Sequence, residues 1–483
     1  NQAAICLPIQ SYSFTIYYNI MKTRLMFHQL SVCVAVYIAC TACPATAQTL
    51  TDLSGIWRIV GFSVPSQLTL IRTNQGPVPR KVMNIPEKDR FELGNGMLSV
   101  NSQGALRGTF EGHPTSGAFS IAGQGRVVVH PDGEIPLNFS INSSLDFMAS
   151  VTSETSQDFQ DLTLLTKAPA SIAPSEVAGD WHILSMNTPD RLTLVTTNGF
   201  VRDIPERSHF ETGSGTLTLN TNGTLSGFMD NAFTGAYSLG ANGEVSVTVT
   251  NLEEEVFSVT LFINAGKNIM IAGEPDAESG YQEVLIFTKA PVSATIADLK
   301  GHWHIAAFGV PNQLTLSKDG DGDVVDIFEK TRFEFEEGSL VAGHNGFFTS
   351  QFEGSSTGNF SLGSPGVVTV TETDEEGQES FSMRVNAARD VIVGVTADSF
   401  NQELFILTKS PPSTNSAQNL GFVMFPSQTN LVFNWASDVT RKLQCSTNLL
   451  DWDDVPGTLA TNAHEVALPS SQTNKYFRVI ETP

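Results

Sequence analysis

Cysteine, basic charge and long apolar runs are all scarce in this sequence. Of 483 residues only five are cysteine, and four of these fall within the first 43 positions, leaving Cys445 alone thereafter. If the first 47 residues are removed as a leader, the exported chain keeps one thiol and has no internal disulfide, so packing must stabilise it, and no cysteine pair offers a zinc site. Lysine and arginine number 27 against 50 acidic residues, a formal charge of −23. Such a surface repels phosphate backbones and no basic patch offsets it, which excludes nucleic acid as a partner. No apolar run reaches the ~20 residues of a spanning helix, so no transmembrane span is expected. His-Glu-x-x-His and phosphate-loop motifs are missing, and no cofactor is expected.

The chain opens with the marks of export. Met21 is followed by Lys22 and Arg24, an apolar stretch from Leu30 to Cys40, and Ala45-Thr46-Ala47 before Gln48. This reads as a bacterial-type signal peptide at about 21–47, with residues 1–20 as translated upstream sequence. Lipoprotein processing at Cys40 or Cys43 is the alternative. Cleavage after Ala47 removes two bases and no acids, so the mature charge becomes −23 − 2 = −25. The expected location is the medium or the cell surface.

One unit is present three times. Gly55-Ile56-Trp57, Gly179-Asp180-Trp181 and Gly301-His302-Trp303 each lead into Pro-x-x-Leu-Thr-Leu, then Phe-Glu, Gly-x-Phe/Tyr-Ser and Ile/Val-Asn. Each copy closes on Thr-Lys-Ala/Ser-Pro, ending at Pro169, Pro291 and Pro411. The boundaries fall at 48–171, 172–293 and 294–413. A period near 120 is long enough for each copy to stand as a self-contained domain. Inside a copy the period is two, as in Val245-Ser246-Val247-Thr248-Val249, and Gly-containing turns such as Asn222-Gly223 and Asn242-Gly243 recur. No ten-residue segment is helical in period. The pattern predicts an all-β chain: three tandem antiparallel meanders, each closed as a barrel or split into two stacked sheets.

Gly-x-Trp on a first strand, a meander, and a cationic residue on the last strand resemble the calycin group of small barrels, the lipocalins and avidins. The resemblance implies that Trp57, Trp181 and Trp303 pack against Lys167, Lys289 and Lys409, where that group more often has Arg. It also implies a carrier role for small apolar ligands. Residues 414–483, with Trp435, Ser446-Thr447-Asn448-Leu449, Trp452 and Tyr476-Phe477-Arg478-Val479, resemble the fibronectin-III-like β-sandwich of secreted bacterial proteins. That resemblance implies a spacer or attachment module, with Cys445 as a small buried residue.

Candidate chemistry is sparse. Gly354-Ser355-Ser356-Thr357-Gly358 spells a hydrolase elbow but precedes a strand. His302-Trp303-His304 sets two imidazoles on one strand face, either the start of a metal site or a half-exposed polar face. Asp319-Gly320-Asp321-Gly322-Asp323 starts like a calcium loop, yet Val324 and Lys330 stand where the loop needs Gly and a bidentate Glu. Asp319, Asp321 and Asp323 therefore form either an acidic turn or a weak calcium site. Glu253-Glu254-Glu255 and Asp374-Glu375-Glu376 are acidic loops. Glu92, Glu211 and Glu334 read as the only acids repeated at a matching motif, one per copy, which suits a structural hydrogen bond better than paired-carboxylate catalysis. Three linked copies favour multivalent binding over catalysis. The expected function is a non-enzymatic binding or adhesion protein for a glycan or protein, with the apolar carrier as alternative and a secreted hydrolase as a remote one. Large inward residues such as Phe119, Tyr237 and Phe360 would leave no room for a carried ligand.

Overall fold

The computed structural model describes residues 49–411 except 74–79, 124, 134, 155–158, 252–254, 277–279, 344, 353 and 374–376, and then the backbone of six strands between Gly421 and Glu481. The expected leader and most of both acidic loops lie outside the described residues. In each copy eight strands run as an antiparallel meander, and the last pairs with the first. Copy 1 opens with Gly55–Pro65 and closes with Phe159–Lys167; copy 2 uses Gly179–Pro189 and Tyr281–Lys289; copy 3 uses Gly301–Pro311 and Asn401–Lys409. The fold is all-β with three tandem closed barrels, and closure removes the sheet edges that two stacked sheets would leave.

Alternation explains the closure and something more. Along the first strand Trp57 and Ile59 point into the barrel, where they join Leu98, Phe119, Phe139 and Met148. The intervening Val60, Phe62 and Val64 point outward, and yet all three are fully buried. A strand with two apolar faces must be covered on both. The second cover is the other two barrels: Val60, Phe62 and Val64 share one core with Leu184 and Met186 of barrel 2 and with Phe308 and Val310 of barrel 3. Each barrel has its own interior, while its outer wall is completed by its neighbours.

The three barrels are arranged cyclically around this shared core. Phe91, Phe210 and Phe333 form a triangle with ring centroids 6.2, 6.2 and 6.1 Å apart at tilted or edge-on angles. The N–H of Leu68 donates to the Lys330 carbonyl, that of Leu192 to Lys88 and that of Leu314 to Arg207, each at 2.7 Å, so repeat 1 leans on 3, 2 on 1 and 3 on 2. Pro169 lies over Gly243, Pro291 over Gly366 and Pro411 over Gly125. The last linker thus grips the first barrel and closes a ring. The 66–91 connection and its two equivalents carry short hairpins, Ile71–Arg72 with Val82–Asn84 and their counterparts, that meet one another around the axis.

Residues 421–481 contribute two three-stranded antiparallel sheets. The side chains that carry the fibronectin-III-like resemblance, Cys445 among them, lie outside the described residues. No described helix is long and apolar enough to cross a membrane.

Candidate functional site

Every first strand runs from the end where Trp pairs in register with Lys toward the end where the hairpins meet. The ring therefore has a closed-end face and a mouth face, and all three barrels point the same way.

The closed ends are built alike. A single helical or 3-10 turn, Leu50–Leu53, Pro174–Val177 or Ile296–Leu299, precedes each first strand and buries its last residue under the barrel. The indole Nε1 of Trp57 donates to the Leu53 carbonyl at 2.8 Å; Trp181 and Trp303 do the same to Val177 and Leu299 at 2.9 Å. The ammonium groups of Lys167, Lys289 and Lys409 donate to the carbonyls of Asp52, Glu176 and Asp298 at 2.6, 2.7 and 2.8 Å. These bonds satisfy helix-terminal carbonyls and the indole donor, which would otherwise be buried unpaired. Lys289 and Lys409 also stand 5.8 and 5.6 Å from the rings of Trp181 and Trp303. Burial lowers the affinity of all three lysines for their protons. These Trp and Lys side chains therefore serve the barrel floor.

On the axis near the closed ends the repeated Ile/Val-Asn motif forms a buried polar ring. Asn142 Nδ2 donates to Asp146 at 2.9 Å and to Asp390 of repeat 3 at 3.0 Å. Asn386 Nδ2 donates to Asp390 at 2.9 Å and to Asn268 of repeat 2 at 3.0 Å, while the Gly266 N–H of repeat 2 donates to Asp146 at 2.7 Å. Burial pushes the Asp146 carboxyl up, and the neighbouring Asp390 adds to this. Asn386→Ala is expected to cost about 1–3 kcal/mol by stripping Asn268 and Asp390 of a buried donor, read as a lowered urea midpoint. A loss below the ~0.5 kcal/mol of an ordinary surface change would show that the ring does not bind the barrels.

At the mouth face the aspartates of the calcium-like loop converge within 4.8 Å of one another. The Lys81 ammonium of repeat 1 stands at their focus, 3.4 Å from Asp319, 2.9 Å from Asp321 and 2.5 Å from Asp323. Arg202 of repeat 2 approaches Asp323 at 2.7 Å. The carboxylates raise the Lys81 pKa, led by Asp323. Repeat 3's loop is thereby a clasp for cations from the other two repeats. Arg72 to Asp326, at 2.8 Å, adds a second tie between repeats 1 and 3.

His302 and His304 do not lie on an open strand face. His304 is buried and His302 half-buried, with ring centroids 4.8 Å apart, because the outer face of this strand is covered by barrel 1. They line a cleft of about 470 Å³ with Arg126, Glu337, Ser339 and Gln351. Arg126 crosses the seam to Glu337 at 3.2 Å. Burial first, then the Arg126 charge, lowers the His302 pKa. At the equivalent seam between barrels 1 and 2, Arg58 fills the gap by pairing with Glu244 at 2.5 Å and lying over Phe262. Ser356 of the elbow-like motif lies in the strand Ser355–Leu362 and donates to Glu372, with no helix behind it.

The mouths hold the acids that recur. In register, Ser63 lies between Glu92 and Asp161, Asn187 between Glu211 and Glu283, and Gly309 between Glu334 and Glu403. Two acids therefore flank each first strand on its inner face, their Cα atoms about 10 Å apart. Glu87, Glu206 and Glu329 form a third repeated set, accepting the N–H of Thr69, Thr193 and Thr315 at 2.8, 2.7 and 2.6 Å. This corrects the reading of one repeated acid per copy. A structural bond from a turn to a repeated glutamate exists, and Glu87, Glu206 and Glu329 accept it. The missed signals were Gln-Asp/Glu at 160–161, 282–283 and 402–403, and Glu before Lys or Arg in each hairpin return.

Glu283 is the most perturbed rim acid. Burial, with the Glu274 and Asp230 charges, raises its pKa from 4.5 to about 7 against the opposing bond from Ser185. A raised native pKa means the folded chain holds a proton that the unfolded chain releases. The stabilising contribution is complete below about pH 4.5 and is lost as pH rises through about 7. Glu283→Gln should therefore leave the melting temperature at pH 4.5 nearly unchanged and raise stability at pH 8, by up to about 3 kcal/mol. Equal effects at the two pH values would contradict the burial of this carboxyl.

No protein-family profile matches the sequence, and no curated protein matches it. Among solved structures, a transferrin-binding protein B double mutant from Haemophilus parasuis aligns at 7% identity over 74% of this chain and 76% of its own, with a TM-score of 0.23. Transferrin-binding protein B from serogroup B Neisseria meningitidis aligns at 8% identity over 74% and 77%, with a TM-score of 0.20. Likenesses this loose carry no argument about this chain.

Proposed function

We propose that this is an exported, non-catalytic binding protein that recognises a protein or glycan on the outer surface of its ring. The observation that carries this reading is the filling of the barrels. Phe119, Tyr237 and Phe360 are 2%, 7% and 3% exposed, packed inside their barrels with the three tryptophans and layers of Val, Leu and Met. A lipocalin-like carrier needs a hollow interior. On this reading the ligand is met outside, and three related mouths on one side of the ring suit multivalent contact.

The test is residues 48–483 examined by native mass spectrometry and on glycan and protein arrays. Expected are a bare protein mass and saturable binding to one class of array feature. A co-purified apolar mass released on denaturation, in up to three copies, would establish the carrier instead. A second reading, glycoside hydrolysis, is favoured by one observation: a carboxyl with pKa about 7 beside other acids in the barrel 2 mouth. Met229 and Ser185 crowd that mouth, closing on the space above Gly213. Release of sugar from a polysaccharide panel, abolished by Glu283→Gln, would establish hydrolysis. No release is expected.

A further inference from the structure

The closed-end and mouth faces differ in what they leave exposed. Among the described residues eleven large apolar side chains are exposed. By strand direction, nine of them belong to the mouth half, Met97 and Val292 being the exceptions. Ile71, Met83 and Val195 lie on the axial hairpins, Phe328 at 62% exposure follows the third hairpin, and Phe257 and Phe400, each at 53%, stand at the barrel 2 and barrel 3 rims. Scattered single apolar residues need no explanation, but segregation to one face marks an interaction surface. The same face carries the exposed rim acids Glu92, Glu211 and Glu334, one per barrel. Each rim also carries an aromatic under a basic side chain: Arg90 over Phe159 at 5.5 Å, His209 on Tyr281 at 4.4 Å and Arg332 over Phe400 at 4.4 Å.

We infer that the mouth face is a docking surface for a protein whose contact patch combines lysine or arginine with apolar side chains. This rests on the outer-surface binding reading and names its face and its partner chemistry. Charge complementarity selects the occupant. The rim carboxylates attract a basic patch and repel a second copy of this acidic chain. The exposed rings of Phe257, Phe328 and Phe400 supply the apolar anchors. A sugar would leave the segregated valine, methionine and isoleucine side chains without a counterpart.

A random-peptide display library panned against immobilised residues 48–483 tests this directly. Recovered peptides should pair Lys or Arg with aromatic or aliphatic residues, and should bind less tightly in raised salt. Affinity for the Phe257→Ser/Phe328→Ser/Phe400→Ser variant should fall by about tenfold or more, while Met97→Ser/Val292→Ser on the other half binds as wild type. A thermal melt confirms that both variants fold, as expected for exposed positions. Failure to enrich peptides, enrichment of acidic or neutral ones, or equal binding to both variants would overturn the inference. An array partner untouched by the triple substitution would leave outer-surface binding intact and remove only this face from it.

Discussion

Phe210→Ala is expected to destabilise the whole ring by about 3–5 kcal/mol and to move the unfolding of all three barrels together. Phe210 is 1% exposed and completes the triangle with Phe91 and Phe333, so truncation opens a cavity bordered by all three repeats. Its carbonyl also accepts from Gln402 of repeat 3. Trp57, Trp181 and Trp303 each report on one barrel interior. Three variants that keep one of these tryptophans and carry Phe at the other four tryptophan positions should show the same urea midpoint, and Phe210→Ala should lower all three equally. A shift confined to the Trp181 reporter would mean that barrel 2 stands alone.

Asp323→Ala is expected to cost about 3 kcal/mol, although Asp323 sits in a loop that looks like an ordinary acidic turn. Its side chain is 2% exposed and receives Lys81 of repeat 1 and Arg202 of repeat 2. Removing it leaves two cations facing each other across a seam with their shared counter-charge gone. Asp321 also touches Lys81 but is 75% exposed, so Asp321→Ala should cost under about 0.5 kcal/mol. If the ammonium rather than calcium holds this loop, EDTA leaves the wild-type melting temperature unchanged. A calcium-dependent rise of several degrees, or equal losses for the two substitutions, would contradict the clasp.

Much of each barrel was legible because its determinants are local. Alternating Thr216-Leu217-Thr218-Leu219, the Asn-Gly turns and the threefold Trp and Thr-Lys pattern announce strands, hairpins and unit ends without knowledge of distant neighbours. The shared core was harder to read. Its clue was in Val60, Phe62 and Val64, which add apolar residues to the face opposite Trp57 and Ile59 and break strict alternation. A strand apolar on both faces says that something covers it, and a single sequence does not say what. The polar ring was visible as a repeated Asn, yet Asn142 and Asp390 are 248 positions apart and only the ring closure brings them together. Lys81 and Asp323 pose the same problem across 242 positions. The burial of His304 is hidden for a related reason, since a strand face that is polar in sequence can still be buried at a seam where its partners are polar as well.

The outer-surface binding reading depends on a ring that behaves as one body, with a single mouth face rather than three tethered beads. Differential scanning calorimetry of the protein trimmed to residues 48–413 tests this most directly. A cooperative ring unfolds in one transition whose calorimetric and van't Hoff enthalpies agree. Separate transitions, or a calorimetric enthalpy about three times the van't Hoff value, would show three independent barrels and contradict the account.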